Sequence, residues 1–134
     1  MVGEDLWKEA AMAARRSKTK RRAHRLAWRL IDFMEREFQW RIRFMPLRSD
    51  VRARVSLGFE PHERFVGATL WDRHLIALDP SFDDLFAVLI HECLHAMLPD
   101  ASERKVLALE KLVRTHLTPR QANAFIFLLN VRLK

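Results

Sequence analysis

The chain has 134 residues, of which 49% are hydrophobic and 31% are charged, and its formal net charge is +7. This length suits one domain with its own hydrophobic core, so we expect residues 1–134 to form a single domain. No apolar run reaches the roughly 18 residues of a membrane span, and the N-terminal segment lacks the apolar core of a signal peptide. The single cysteine, Cys93, cannot form an internal disulfide. We therefore expect a cytoplasmic protein without membrane contact.

The first part of the chain has apolar residues at helical spacing. It predicts a basic N-terminal helix over about residues 5–38, with a break near residues 17–19 as an alternative. Between Ala10 and Ile31 the chain contains basic residues but no acidic one. The basic residues are Arg15, Arg16, Lys18, Lys20, Arg21, Arg22, Arg25 and Arg29. This block predicts contact with nucleic acid or another polyanion, and the alternative is a solvated helix face.

The hydrophobic period then changes to two. Apolar residues alternate over residues 38–44 and again over residues 51–57, which predicts two half-buried strands in a hairpin. The outward face of that hairpin would carry Arg41, Arg43, Arg52 and Arg54. Two further strands, over residues 65–71 and 75–78, are expected after a loop around Pro61. The sequence therefore predicts a three- to four-stranded, mostly antiparallel sheet.

The helical period returns after this sheet. Ser81 and Asp84 are spaced as in a capping box, so Ser81 is the predicted N-cap of a helix over residues 82–97. Asp100 is the predicted start of a second helix over residues 101–116.

A third C-terminal helix is predicted to follow, with Thr118 as its cap and Pro119 at its first position. The predicted order is one helix, three or four strands, and then three helices, the first of which contains the motif described next. Because strands and helices are segregated along the chain, we expect an α+β fold.

Residues 91–95 read HECLH, which matches the HExxH pattern of zinc sites. Residues four apart share a helix face, so His91 and His95 can direct imidazole nitrogens at one ion. Glu92 lies about 100° further round the helix. We therefore expect it to act as the general base on a water at the metal's open position. The neighbouring residues are apolar, which predicts a buried helix. The alternative is a pair of core histidines without a metal.

A catalytic zinc usually takes three protein ligands, so a third is expected. Glu103 follows His95 by eight residues, although a role in helix capping alone is an alternative. Glu110 lies two turns further along nearly the same stripe, and His116 is another candidate. Because the chain contains no tyrosine, a transition-state donor must be a histidine, an arginine or zinc itself. His74, just before the predicted edge strand, is our candidate for that donor.

The stretch GATLWDRHLIALDPSFDDLFAVLIHECLHAMLPDASE, residues 67–103, resembles small zincins of the gluzincin type. It is similar to SprT-like and minimal-gluzincin peptidases and to phage-type zincins, in which a strand and an Asp-Pro segment precede the HExxH helix. The resemblance implies a zincin-like fold with Zn²⁺ as cofactor. It also implies His91 and His95 as ligands, Glu92 as base and Glu103 as third ligand. The chain lacks the downstream histidine ligand of SprT-like domains.

These features together predict a zinc metallopeptidase that hydrolyses bonds in a peptide or protein substrate. The rival hypothesis is a basic nucleic-acid-binding protein on a zincin scaffold, with a structural or vestigial metal site. Glu92 distinguishes the two hypotheses, because a purely structural two-histidine site has no use for an acid beside its ligand.

Overall fold

The computed structural model describes residues 2–36, 40–60, 66–82 and 84–132, with side chains from residue 5 to residue 131. Its elements in chain order are α1 (Val2–Arg36), β1 (Arg41–Phe44), α2 (Val51–Ser56), β2 (Gly67–Leu70), β3 (Leu75–Leu78), α3 (Leu85–Met97), α4 (Glu103–Thr115) and α5 (Pro119–Arg132). The predicted α+β class is confirmed. Within the described ranges, no helix is both long and apolar enough to cross a membrane.

The three strands form a mixed sheet in the order β1–β3–β2. β1 runs parallel to β3, whereas β2 runs antiparallel to it, so the prediction of a mostly antiparallel sheet is wrong. β3 is central and buried on both faces. Its residues Ile76 and Leu78 join the main core, and Leu75 and Ala77 join a smaller cluster under α2. β2 is an edge strand that packs beside α3.

The segment 51–57 is a helix followed by a turn, not the second strand of a hairpin. Asp50 caps the helix by accepting a hydrogen bond from a backbone N–H in its first turn. Ala53 and Leu57 lie one helical turn apart and are both buried. The two valines of the same pattern are also one turn apart and are exposed. The alternation therefore fits a helical period as well, and capping by Asp50 favours the helix.

The basic face predicted for that hairpin does not exist, because Arg54 is buried. Its Nη1 donates hydrogen bonds to the backbone oxygens of Leu47 at 2.8 Å and Arg48 at 3.1 Å. The Arg54 side chain thus holds the loop before α2, while the other three arginines of the proposed face are exposed.

The N-terminal helix is confirmed as one continuous element from Val2 to Arg36, without a break near residue 17. Its second half packs against α3, α4 and α5. The buried residues on that half are Ala23, Ala27, Leu30, Ile31 and Met34. The predicted helix end and strand start at residues 37–39 lie outside the described residues, as do Phe65 and the loop around Pro61.

The helix that carries the HExxH motif begins later than predicted. Asp84, not Ser81, is its N-cap and accepts a hydrogen bond from the Ala87 N–H at 3.1 Å. The Ser81 hydroxyl instead donates to Asp79 at 2.6 Å. Ser81 therefore stabilises the turn after β3 and does not cap the helix.

The last two helices follow the predicted order. α4 is capped by Ser102 and not by Asp100, so Glu103 occupies its first position. The Thr118 cap of α5 is confirmed, because its hydroxyl accepts from the Gln121 N–H at 3.1 Å. The Gln121 side chain accepts from the Thr118 N–H in return, which completes a capping box.

Candidate metal site

Helix α3 presents both histidines of the HExxH motif to one pocket. The pocket has a volume of about 680 Å³ and lies between α3, α4 and the edge strand β2. His91 and His95 stand one turn apart, with ring centroids separated by 4.9 Å. Cys93 and Leu94, which lie between them on other faces of the helix, are buried in the core. Burial raises the pKa of the Cys93 thiol well above its usual range, so this side chain remains a thiol.

The carboxylate of Glu103 contacts both imidazoles. Its Oε1 is 2.7 Å from Nε2 of His91, and its Oε2 is 2.7 Å from Nε2 of His95. One donor atom from each of these three residues lies within 4.8 Å of the other two. Two imidazoles and one carboxylate are a donor set that suits zinc. The carboxylate is thus engaged with the histidines and does not serve only in capping.

Glu110 contacts the opposite side of one histidine ring. Its Oε1 is 2.8 Å from Nδ1 of His91. Its Oε2 accepts from Arg114 at 3.1 Å, and Arg114 also pairs with Asp84 at 2.8 Å. The Glu110–Arg114–Asp84 contacts therefore join α4 to the start of α3. Glu110 is placed to orient His91 and not to share the position of Glu103.

The surroundings of His91 fit a metal ligand. A neutral imidazole carries one N–H and one lone pair, yet both of its nitrogens here face carboxylate oxygens. If Nδ1 donates to Glu110, the Nε2 lone pair points at Glu103. At 2.7 Å a second proton on the ring would bridge these two acceptors, and a small separation of the two side chains would let both bind one cation instead. A carboxylate on the far nitrogen is also the usual support of a zinc-bound histidine.

Glu92 is separated from the three-residue cluster and contacts the sheet. It is 7% exposed, and its Oε1 lies 3.0 Å from the hydroxyl of Thr69 on β2. The same hydroxyl lies 2.9 Å from the Glu92 backbone oxygen, so its proton is shared between two acceptors. Burial raises the pKa of Glu92, against the opposing effects of His91 and the Thr69 hydrogen bond. A buried carboxyl of raised pKa therefore lines the pocket beside the cluster.

Gly67 allows β2 to approach α3 closely at this point. A Cβ atom at this position would lie 2.5 Å from Cγ1 of Val88 and 2.9 Å from Cγ of Glu92. Both distances are shorter than ordinary carbon contacts. The absence of a side chain at Gly67 thus sets the position of Glu92 relative to the edge strand.

Two other candidates lie apart from the cluster. His74 precedes the central strand, and its ring packs against Trp40 at 5.3 Å between centroids. His116 is the C-cap of α4, and its backbone oxygen contacts His24 at 2.8 Å. Neither residue is among those that line the pocket in the described part of the chain. The structure therefore does not place His74 for transition-state donation or His116 for the third ligand position.

Sequence reasoning missed the residues that hold the motif in place. Thr69 and Gly67 approach Glu92 only through tertiary packing, as Arg114 approaches Asp84. The contact of Arg114 with Glu110 could have been predicted from the sequence, because residues four apart can pair on a helix. The close approach at Gly67 could also have been predicted, because a glycine inside a strand often marks a position where another backbone comes close.

Comparisons of this chain with protein-family models, with curated proteins and with solved structures found no match in any of the three.

Proposed function

We propose that the protein is a zinc metallopeptidase with a zincin-like fold, in which His91, His95 and Glu103 hold the metal. The proposal is carried by one observation. Three donor atoms lie within 4.8 Å of one another, and a separate buried carboxyl, Glu92, lines the same pocket. Zinc, when bound, supplies a Lewis acid that polarises a carbonyl group and lowers the pKa of water. The strand, Asp-Pro segment and HExxH helix also follow one another in zincin order.

Glu92 is the general base of this proposal. It removes a proton from the attacking water and later delivers a proton to the departing amine. Burial raises its pKa above that of an exposed carboxylate, which makes it a stronger base. The Thr69 hydroxyl orients the carboxylate against β2. A purely structural metal site would not require a buried acid here, which favours catalysis over the rival function.

The substrate we propose is an extended peptide that lies along β2. This strand pairs only with β3 among the described residues, so its other edge offers backbone donors and acceptors beside the pocket. Edge-strand pairing gives affinity without regard to sequence. Several pocket residues are apolar: Phe59, Val66, Phe82, Ala87, Val88 and Leu107. They favour a substrate with a large apolar side chain near the cleaved bond.

The test is Glu92→Gln, which retains the shape of the side chain but cannot take up a proton. Zinc content and cleavage of an unfolded protein substrate such as casein are measured for the variant and the wild type. We expect zinc to be retained and cleavage to fall by about a hundredfold or more. Glu9→Gln, at an exposed position on α1, is the matched control and should cleave normally. If Glu92→Gln cleaves as fast as wild type, the proposed mechanism is wrong.

A further inference from the structure

The first half of α1 extends away from the rest of the molecule. All side chains from residue 5 to residue 22 are exposed, whereas burial begins at Ala23. At about 1.5 Å per residue this exposed segment is a rod roughly 27 Å long. It carries most of the basic block, including the sequence RRSKTKRR at residues 15–22.

Five of the cations form one stripe. They alternate three and four residues apart, which places them on one face of the helix. They are Arg15, Lys18, Arg22, Arg25 and Arg29. The buried residues of α1, such as Ala27 and Leu30, lie on the opposite face. The stripe therefore points away from the body of the protein over about 21 Å.

The positive charge of this stripe is not neutralised by any residue that the structure describes. None of its cations forms an ion pair with another residue in the described part of the chain. Like charges three and four residues apart destabilise a helix, so the bare stripe carries an electrostatic cost. A polyanion that binds there would relieve this repulsion and release its own counterions.

The basic stretch of this segment, residues 15–22, is poorly suited to a membrane or to a partner helix, although Leu6, Trp7 and Met12 are exposed nearer the N-terminus. Residues 15–22 contain no hydrophobic residue, so this stretch has no apolar face to insert into lipid or to pack in a coiled coil. Arg16 and Lys20 place further cations on the side opposite the stripe. A rod with positive charge on all sides fits a groove that has phosphates along both walls.

We propose that the exposed basic stretch of α1, residues 15–22, binds double-stranded DNA by lying in the major groove. That groove is about 12 Å wide and admits one α-helix, whereas the corresponding groove of duplex RNA is too narrow. The cations contact backbone phosphates on both walls, so binding is largely independent of base sequence. The proposed DNA-binding stretch is separate from the proposed peptidase site, because no α1 residue whose side chain is described lines the pocket.

The test compares two triple variants that lose the same charge. One is Arg15→Gln, Lys18→Gln and Arg22→Gln in the stripe. The matched control is Arg41→Gln, Arg43→Gln and Arg52→Gln, at three exposed arginines on β1 and α2. Binding of the full chain to a short fluorescent DNA duplex is measured by anisotropy over a range of salt concentrations, and helix content by circular dichroism.

We expect the stripe variant to bind at least about tenfold more weakly, with a salt slope smaller by about three. The control variant should change that slope by less than about one. Equal losses in the two variants would show diffuse attraction by net charge and overturn the proposal. Absence of wild-type binding at low salt would overturn it as well.

Competition experiments distinguish the partner and the groove. Methyl green, which occupies the major groove, should displace the protein, and netropsin, which occupies the minor groove, should not. Single-stranded DNA, duplex RNA and phosphatidylserine vesicles should compete more weakly than duplex DNA at equal negative charge. Equal competition by the vesicles, or displacement by netropsin alone, would contradict binding in the major groove.

Discussion

Oε1 of Glu110 lies 2.8 Å from Nδ1 of His91, on the side of the ring that faces away from Glu103. This contact fixes the orientation of the imidazole and leaves Nε2 directed at the pocket. Arg114 holds the second oxygen of Glu110 at 3.1 Å. The two acidic residues of α4 therefore have different positions relative to the same histidine. Glu103 faces the position that we propose for the metal, and Glu110 supports His91, the proposed ligand.

The two carboxylates should differ in their effect on metal binding. Glu103→Gln replaces an anionic ligand with an amide, a poor zinc ligand, so we expect loss of stoichiometric zinc. Glu110→Gln keeps the ligand set but weakens the support of His91, so we expect zinc to remain with about 10- to 100-fold lower affinity. Competition with a chromogenic chelator measures both affinities. If Glu103→Gln binds zinc normally and Glu110→Gln does not, the roles are reversed.

Gly67→Ala should displace α3 from β2. The added Cβ would lie 2.5 Å from Val88 Cγ1, 2.9 Å from Glu92 Cγ and 3.2 Å from Glu92 Oε2. We expect the free energy of unfolding to fall by about 1–3 kcal/mol, because the contact is overpacked. Peptide cleavage should fall more than zinc affinity, since Glu92 moves while both histidines remain.

Urea unfolding, zinc titration and cleavage assays test this prediction. Val88→Ala in the Gly67→Ala background removes the closest contact, so the double variant should recover part of the stability. Unchanged stability and cleavage in Gly67→Ala would contradict the close approach of β2 and α3.

Asp79 makes stability depend on pH. It is fully buried and accepts from the Arg48 N–H at 2.7 Å, the Ser81 N–H at 2.9 Å and the Ser81 hydroxyl at 2.6 Å. Burial opposes its ionisation, but these hydrogen bonds outweigh that effect and lower its pKa below the usual 3.8. Its contribution is therefore present above that value and is lost as the pH falls through the lowered pKa.

Asp79→Asn should reduce the free energy of unfolding by about 2 kcal/mol at neutral pH, because the amide cannot accept all three hydrogen bonds. The difference from wild type should shrink as the pH falls below about 4. Denaturant unfolding of both proteins at a series of pH values measures this difference in the free energy of unfolding. A difference that stays constant down to the acid range would mean that the charge of Asp79 does not contribute.

The sequence predicted the candidate site best where spacing along the chain determines the geometry. His91 and His95 share a helix face because they are four residues apart, and the structure directs both at the pocket. Glu103 is close because a short turn separates the two helices. The contact of Glu110 with the far nitrogen of His91 depends on how α4 packs on α3, which spacing along α4 does not determine.

Predictions failed where two local patterns compete or where strands pair over long distances. The alternation at residues 51–57 fits both a strand and a short helix, and the Asp50 cap favoured the helix. The parallel pairing of β1 with β3 joins segments separated by about thirty residues, so no local turn signal reveals it. His74 consequently precedes the central strand and not an edge strand.

Zinc stoichiometry measures the central claim most directly. The full chain, His91→Ala, and the His91→Ala, His95→Ala double variant are dialysed against zinc and then against buffer, and their metal content is determined by mass spectrometry. We predict about one zinc per wild-type chain and none above background in the double variant. A wild-type chain without stoichiometric zinc, or a double variant that retains it, would contradict the proposed metal site.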